Sequence, residues 1–140
     1  MPMTEVLVRT VHDSPVAVGS TGGRTVTIDR AAEAGGEGIG FNGGQLLLLA
    51  LGACYTNDIF REAAVLGIHV QSVKVRVAAD WGGDPVRAEN ITYSASVAAD
   101  ASEDRIRELM SHTDAVAEIH NSLRQGAEVR LTGVEAVQTS

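Results

Sequence analysis

Cys54 is the one soft nucleophile of the chain, which holds no second cysteine. A cysteine attacks as its thiolate, so the charges around it decide what it can do. Asp58 follows at i+4, and on a helix its negative charge raises the thiol pKa if the two side chains meet. Reactivity at neutral pH then calls for a cation from elsewhere, and Arg24 and Arg30, on the glycine-rich arm before the helix, are the candidates. On the residues alone, a cysteine in an apolar segment also reads as a packed core residue. Asp58, Arg61 and Glu62 read as a solvated helix face.

No other constellation promises chemistry. His112 and His120 are eight residues apart and no i,i+4 histidine pair occurs, so no metal site is expected. A single cysteine excludes an internal disulfide framework and a cysteine-rich zinc site. Glycines 35, 36, 38, 40, 43 and 44 crowd the approach to the apolar run, but no βαβ pattern surrounds them. They therefore read as a flexible connection, not as a phosphate cradle, and no cofactor is expected.

The elements that must position Cys54 follow from periodicity. Leu46–Leu51 and the small residues after it start a helix from about Gly44 to Leu66, apolar nearly all round, with Gly67 as its left-handed stop. Small residues Ala50, Gly52 and Ala53 would let a second helix approach closely. Before it, Val6, Val8 and Val11 lie in a β-rich stretch, Gly19–Gly23 carries turn chemistry, and Val26 and Ile28 alternate with polar neighbours. After it, Val73, Val75 and Val77 alternate, Trp81–Pro85 reads as a turn, and Ile91, Tyr93, Ala95 and Val97 alternate back as an antiparallel partner. Ser102 can cap a helix with Ile106, Leu109 and Met110 on its inner face. Asp114 can cap another ending at Gly126, and Glu128–Leu131 reads as a final strand. The order gives an α+β fold with helices segregated from antiparallel sheet.

Two blocks resemble the OsmC/Ohr family of osmotically inducible and organic-hydroperoxide-resistance proteins. Asn42-Gly-Gly-Gln-Leu46, leading into Leu47-Leu-Leu-Ala-Leu-Gly-Ala-Cys54-Tyr55, is similar to that family's Asn-Pro-Glu-Gln/Glu-Leu segment and first-cysteine helix. Ala117-Glu-Ile-His-Asn-Ser-Leu123 is similar to its Cys-Pro-Val-x-x-Thr-Leu block. The resemblance implies an OsmC-like intertwined homodimer, with long central helices between the sheets and an active site at the subunit interface. It further implies that Cys54, held by an arginine for which Arg24 is the counterpart, attacks a peroxide. Ala117 stands where the family's resolving cysteine stands, and Gly43 and Gly44 replace its proline and acidic residue. An oxidised Cys54 must therefore be resolved by an external thiol.

Length and charge bound the rest. At 140 residues the chain is the size of one domain, read here as 1–140. Its net charge of −7 argues against nucleic acid as a partner. No apolar run approaches the roughly 20 residues of a membrane span, and residues 1–10 lack a signal-peptide pattern, so a cytoplasmic protein is expected. Two functions are open: a one-cysteine peroxidase reducing organic hydroperoxides, or a non-catalytic homodimer binding a small apolar ligand. Leu47, Leu51 and Tyr55 would line the pocket in either.

Overall fold

The computed structural model describes residues 2–139. The fold is α+β, with two antiparallel sheets and three helices. Strands β1 (Leu7–Thr10), β2 (Ala17–Thr21) and β3 (Arg24–Ile28) form one sheet in that order. Helix α1 (Gly43–Leu66) leads to the paired strands β4 (His69–Gly82) and β5 (Arg87–Asp100), then to α2 (Glu103–Val116) and α3 (Glu118–Gln125). The described chain divides into two compact units, one holding residues up to Ala53 with Val75–Ser96, the other Cys54–Lys74 with residues from Val97 on. The chain passes between them within α1, β4 and β5.

In the first unit, Gly19, Ser20 and Thr21 belong to β2 and not to the turn expected of them; only Gly22 and Gly23 turn, with positive φ. The reason is pairing on both sides: Gly19 sits opposite Val8 and Val26, and Ser20 opposite Leu7 and Thr25. A Cβ on Gly19 would stand 3.1 Å from Ile28 Cδ1 and 3.2 Å from Val26 Cγ1, a tight fit that those side chains would have to shift to admit.

The glycine-rich connection is built on Asp29 and is not a loose linker. Asp29 is buried, and its Oδ1 accepts from the Arg30 N–H at 2.7 Å, its Oδ2 from Glu37 and Ile39 at 2.9 and 3.1 Å. Gly36 is required because a Cβ there would lie 2.1 Å from the Arg30 carbonyl oxygen. Phe41 then bridges to Ile28 and delivers the chain to Asn42. Asn42 Oδ1 accepts from the Gln45 N–H at 2.8 Å while Gln45 Oε1 accepts from the Asn42 N–H at 3.0 Å, a reciprocal cap that starts α1 at Gly43.

The second unit packs Tyr55, Ile59 and Ala63 of α1 as core with Leu109 and Thr113 of α2. Tyr55 donates to the Met110 carbonyl at 3.0 Å, and Arg105 donates to the Leu66 carbonyl at 2.8 Å, capping the end of α1 before Gly67 turns left-handed. Ser102 caps α2 as expected. Asp114, however, lies inside α2, and the cap of α3 is the buried Ala117, which has no side-chain acceptor. Asp114 pairs instead with Arg124 at 2.8 Å, fastening α3 to α2. The strand expected at Glu128–Leu131 does not form among the described residues, since a strand exists only through a ladder and no partner reaches it. Val129 and Leu131 are 95 % and 85 % exposed.

Burial, the largest influence on the Asp29 carboxyl, raises its pKa, yet the backbone donors prevail and hold it below 3.8. A depressed folded pKa contributes stability that is present above the unfolded value and lost as pH falls through the folded one. Asp29→Ala should therefore speed amide exchange at Glu37 and Ile39 and lower the melting temperature. It should also flatten the loss of stability below pH 3.8; unchanged exchange at those two amides would remove Asp29 from its role.

Candidate functional site

Cys54 is half-buried in the second unit, where groups of α1 and α3 approach it. Helical spacing brings Asp58 one turn along α1, and its Oδ2 is 3.5 Å from Sγ. The buried Ala117 ends α2 and starts α3, which sets Glu118 Oε2 3.8 Å from the same sulfur. The thiol and the two carboxylates offer atoms all within 4.8 Å of one another. One thiol carries one proton and can donate to only one of them; Asp58 is the nearer.

Arg61 ties the acids together. Its Nη1 lies 2.8 Å from Glu118 Oε1 and 3.3 Å from Asp58 Oδ1, and its Nε 2.9 Å from Glu62 Oε2. Glu62 continues to His112 Nε2 at 2.6 Å. Asp58, Arg61 and Glu62 are thus a linked network and not a merely solvated face: Asp58 is 5 % exposed and shares Arg61 with Glu118 of α3. The i,i+4 pair with Cys54 signalled Asp58. The reach of Glu118 across 64 residues of sequence had no signal.

The electrostatics follow from that geometry. Burial pushes the Cys54 thiol above its ordinary 9.0; the Ile119 backbone N–H opposes, and Asp58 and Glu118 add to the rise. Asp58 is also raised, by burial first and then by Glu118, with Arg61 opposing. Glu118 is lowered chiefly by its hydrogen bond from Arg61. The arginine therefore stabilises the carboxylates, while burial, helped by the carboxylates, holds the proton on sulfur.

Of the other residues expected to contribute, Arg24 belongs to the first unit and borders a groove of about 320 Å³ with Val6, Val8, Val26, Ile28 and Leu46. Arg30 borders a different groove of that unit. Leu47 is half-buried there, while Leu51 in the first unit and Tyr55 in the second are buried, and the Tyr55 ring lies 6.2 Å from that of His120. Gly44, at the position of the acid in the resembling motif, faces Trp81: a Cβ there would stand 2.7 Å from the indole Cζ2. The indole occupies the volume that an acidic side chain would need.

Residues 35–132 match the family described as OsmC-like protein. The chain belongs to that family. No curated protein matches the sequence significantly. Solved structures of the same fold include an OsmC-like protein from Mycoplasma pneumoniae, 20 % identical with a TM-score of 0.75, covering 90 % of this chain and 89 % of that one. An organic hydroperoxide resistance protein from Elizabethkingia anophelis is 13 % identical with a TM-score of 0.68, over 90 % and 91 % of the two chains. The organic hydroperoxide resistance protein OsmC from Legionella pneumophila is 17 % identical with a TM-score of 0.60, over 89 % and 92 %. No helix is long and apolar enough to cross a membrane among the described residues.

Asp58→Asn keeps the side-chain volume and removes the nearer negative charge. The thiol pKa should fall, so iodoacetamide should alkylate Cys54 several-fold faster at pH 7 than in the parent chain. An unchanged rate would mean that Asp58 does not govern the thiol.

Proposed function

We propose that this OsmC-like protein is a one-cysteine thiol peroxidase acting on organic hydroperoxides, with Asp58 as the base that mobilises the thiol. The observation that carries the reading is the Cys54 Sγ–Asp58 Oδ2 contact of 3.5 Å, a nucleophile beside an acceptor whose own pKa is raised. Sγ attacks the terminal peroxide oxygen as Asp58 takes the thiol proton. The O–O bond breaks, and the same proton goes to the departing alkoxide, leaving Cys54 sulfenic acid and an alcohol. An external thiol condenses with the sulfenic acid, releasing water and forming a mixed disulfide. A second thiol equivalent then frees Cys54 and departs in the oxidised disulfide.

Arg24 is the candidate activating cation of the proposal, and Leu47, Leu51 and Tyr55 are its candidate apolar residues. The protein acts as a homodimer in the cytoplasm. Support for the dimer is the apolar surface left open on α1, where Leu49, Phe60 and Val65 are 47 %, 49 % and 81 % exposed, together with the unpaired Glu128–Leu131 segment. Sedimentation at micromolar concentration should show a dimer, and a stable folded monomer would defeat this part. The second reading, a non-catalytic homodimer that holds a small apolar ligand, is favoured by the raised thiol pKa.

Turnover separates the two. Cumene hydroperoxide should convert Cys54 to a sulfenic acid seen by mass spectrometry, and added dithiol should restore the thiol. Ala117 is fully buried and precedes Glu118, whose carboxylate approaches Sγ. Ala117→Cys should then form an internal disulfide after peroxide and gain dithiol-dependent turnover. A folded variant with neither link nor turnover, beside a parent whose Cys54 resists cumene hydroperoxide, would establish the ligand-binding reading instead.

A further inference from the structure

A second groove, of about 580 Å³, is formed by residues of the first unit alone and does not involve Cys54. That volume falls in the range of about 300–1,000 Å³ typical of small-molecule sites. Its lining includes one charged residue, Arg30, and no acid. In a chain with 18 acidic and 11 basic residues such a lining is unusual, and the Arg30 guanidinium has no ion-pair or hydrogen-bond partner among the described residues. Glu33 and Glu37 line an adjoining groove.

The polar groups beside Arg30 are donors by necessity. Asn42 and Gln45 each accept a backbone N–H through the side-chain oxygen, at 2.8 and 3.0 Å. A backbone N–H can only donate, so these contacts fix both amides with oxygen inward to the cap and leave both NH₂ groups as spare donors. Neither NH₂ has an acceptor among the described residues. The remaining walls are apolar. Trp81, 52 % exposed, is the largest of them, and Leu48 is half-buried beside it. Glycine at position 44 lets the indole close onto the helix: its Cζ2 and Cη2 stand 2.7 and 3.0 Å from where a Cβ would be.

Cationic and neutral donors in a lining that holds no carboxylate of its own select an anion, and a guanidinium suits a carboxylate's two oxygens. An exposed indole face favours a flat apolar body next to that charge. We propose that the groove bounded by Arg30, Asn42, Gln45 and Trp81 is a binding site for a small aryl carboxylate, its carboxylate on Arg30 and the two amides and its ring against Trp81.

Trp81 is the only tryptophan of the chain and so reports on the site directly. Benzoate added to the full chain should change Trp81 fluorescence saturably, and should shift the Gly44 amide resonance over the same concentration range. Benzamide, equal in shape but uncharged, should bind at least about tenfold more weakly, as should benzoate to Arg30→Gln. Arg30 is exposed, and circular dichroism checks that the variant keeps its fold. No saturation by about 10 mM would overturn the proposal. Equal binding of benzamide, undiminished binding to the folded Arg30→Gln chain, or a fluorescence change without the Gly44 shift would each do the same.

Discussion

A thiol has one proton to give, and at Cys54 two carboxylates stand ready to receive it. Burial first, and then the contacts of 3.5 Å to Asp58 and 3.8 Å to Glu118, make the thiolate the disfavoured form, because ionising sulfur would place a further negative charge in a half-buried site beside two acids. Much of the second unit serves to hold that arrangement. The α1 repeat fixes Asp58, the buried Ala117 joins α2 to α3 without an intervening loop, and Arg61 bonds to both acids so that they can sit together. The Arg124–Asp114 pair keeps α3 against α2 and thereby keeps Glu118 at the sulfur.

This is a different solution from a thiolate pinned by a cation. Arg61 neutralises the carboxylates and not the sulfur, so the site stores its proton on the nucleophile and offers a base beside it. The space that the acid of the resembling motif would need is filled by the Trp81 indole over Gly44. In the proposed peroxidase reaction the proton must therefore move during attack, and Asp58, 3.5 Å from the sulfur, is the proposed group to move it.

The long elements were legible in the sequence. A run of apolar and small residues defined α1 to within one residue of its start, and two alternating stretches defined the β4–β5 hairpin, though both strands extend further than the alternation does. The Cys54–Asp58 contact was legible too, because i and i+4 are neighbours on any helix. What escaped was held by tertiary contact. Asp29 looked like an ordinary polar strand residue, yet it organises the glycine-rich connection through backbone N–H groups that carry no side-chain signature. Gly19 looked like a turn and is a strand glycine pressed by Val26 and Ile28. Asp114 looked like a cap and pairs with Arg124, and the segment at Glu128 has strand periodicity without a ladder among the described residues. Glu118 reaches the sulfur only because of how α3 follows α2.

Membership of the OsmC-like family fixes the fold and leaves the chemistry to the site, where the protonation state of one sulfur decides between mechanisms. Titrating the thiolate by its ultraviolet absorbance, with Cys54→Ser as the blank, measures that state directly. The account predicts a midpoint above the ordinary thiol value of 9.0. A midpoint at or below that value would contradict it.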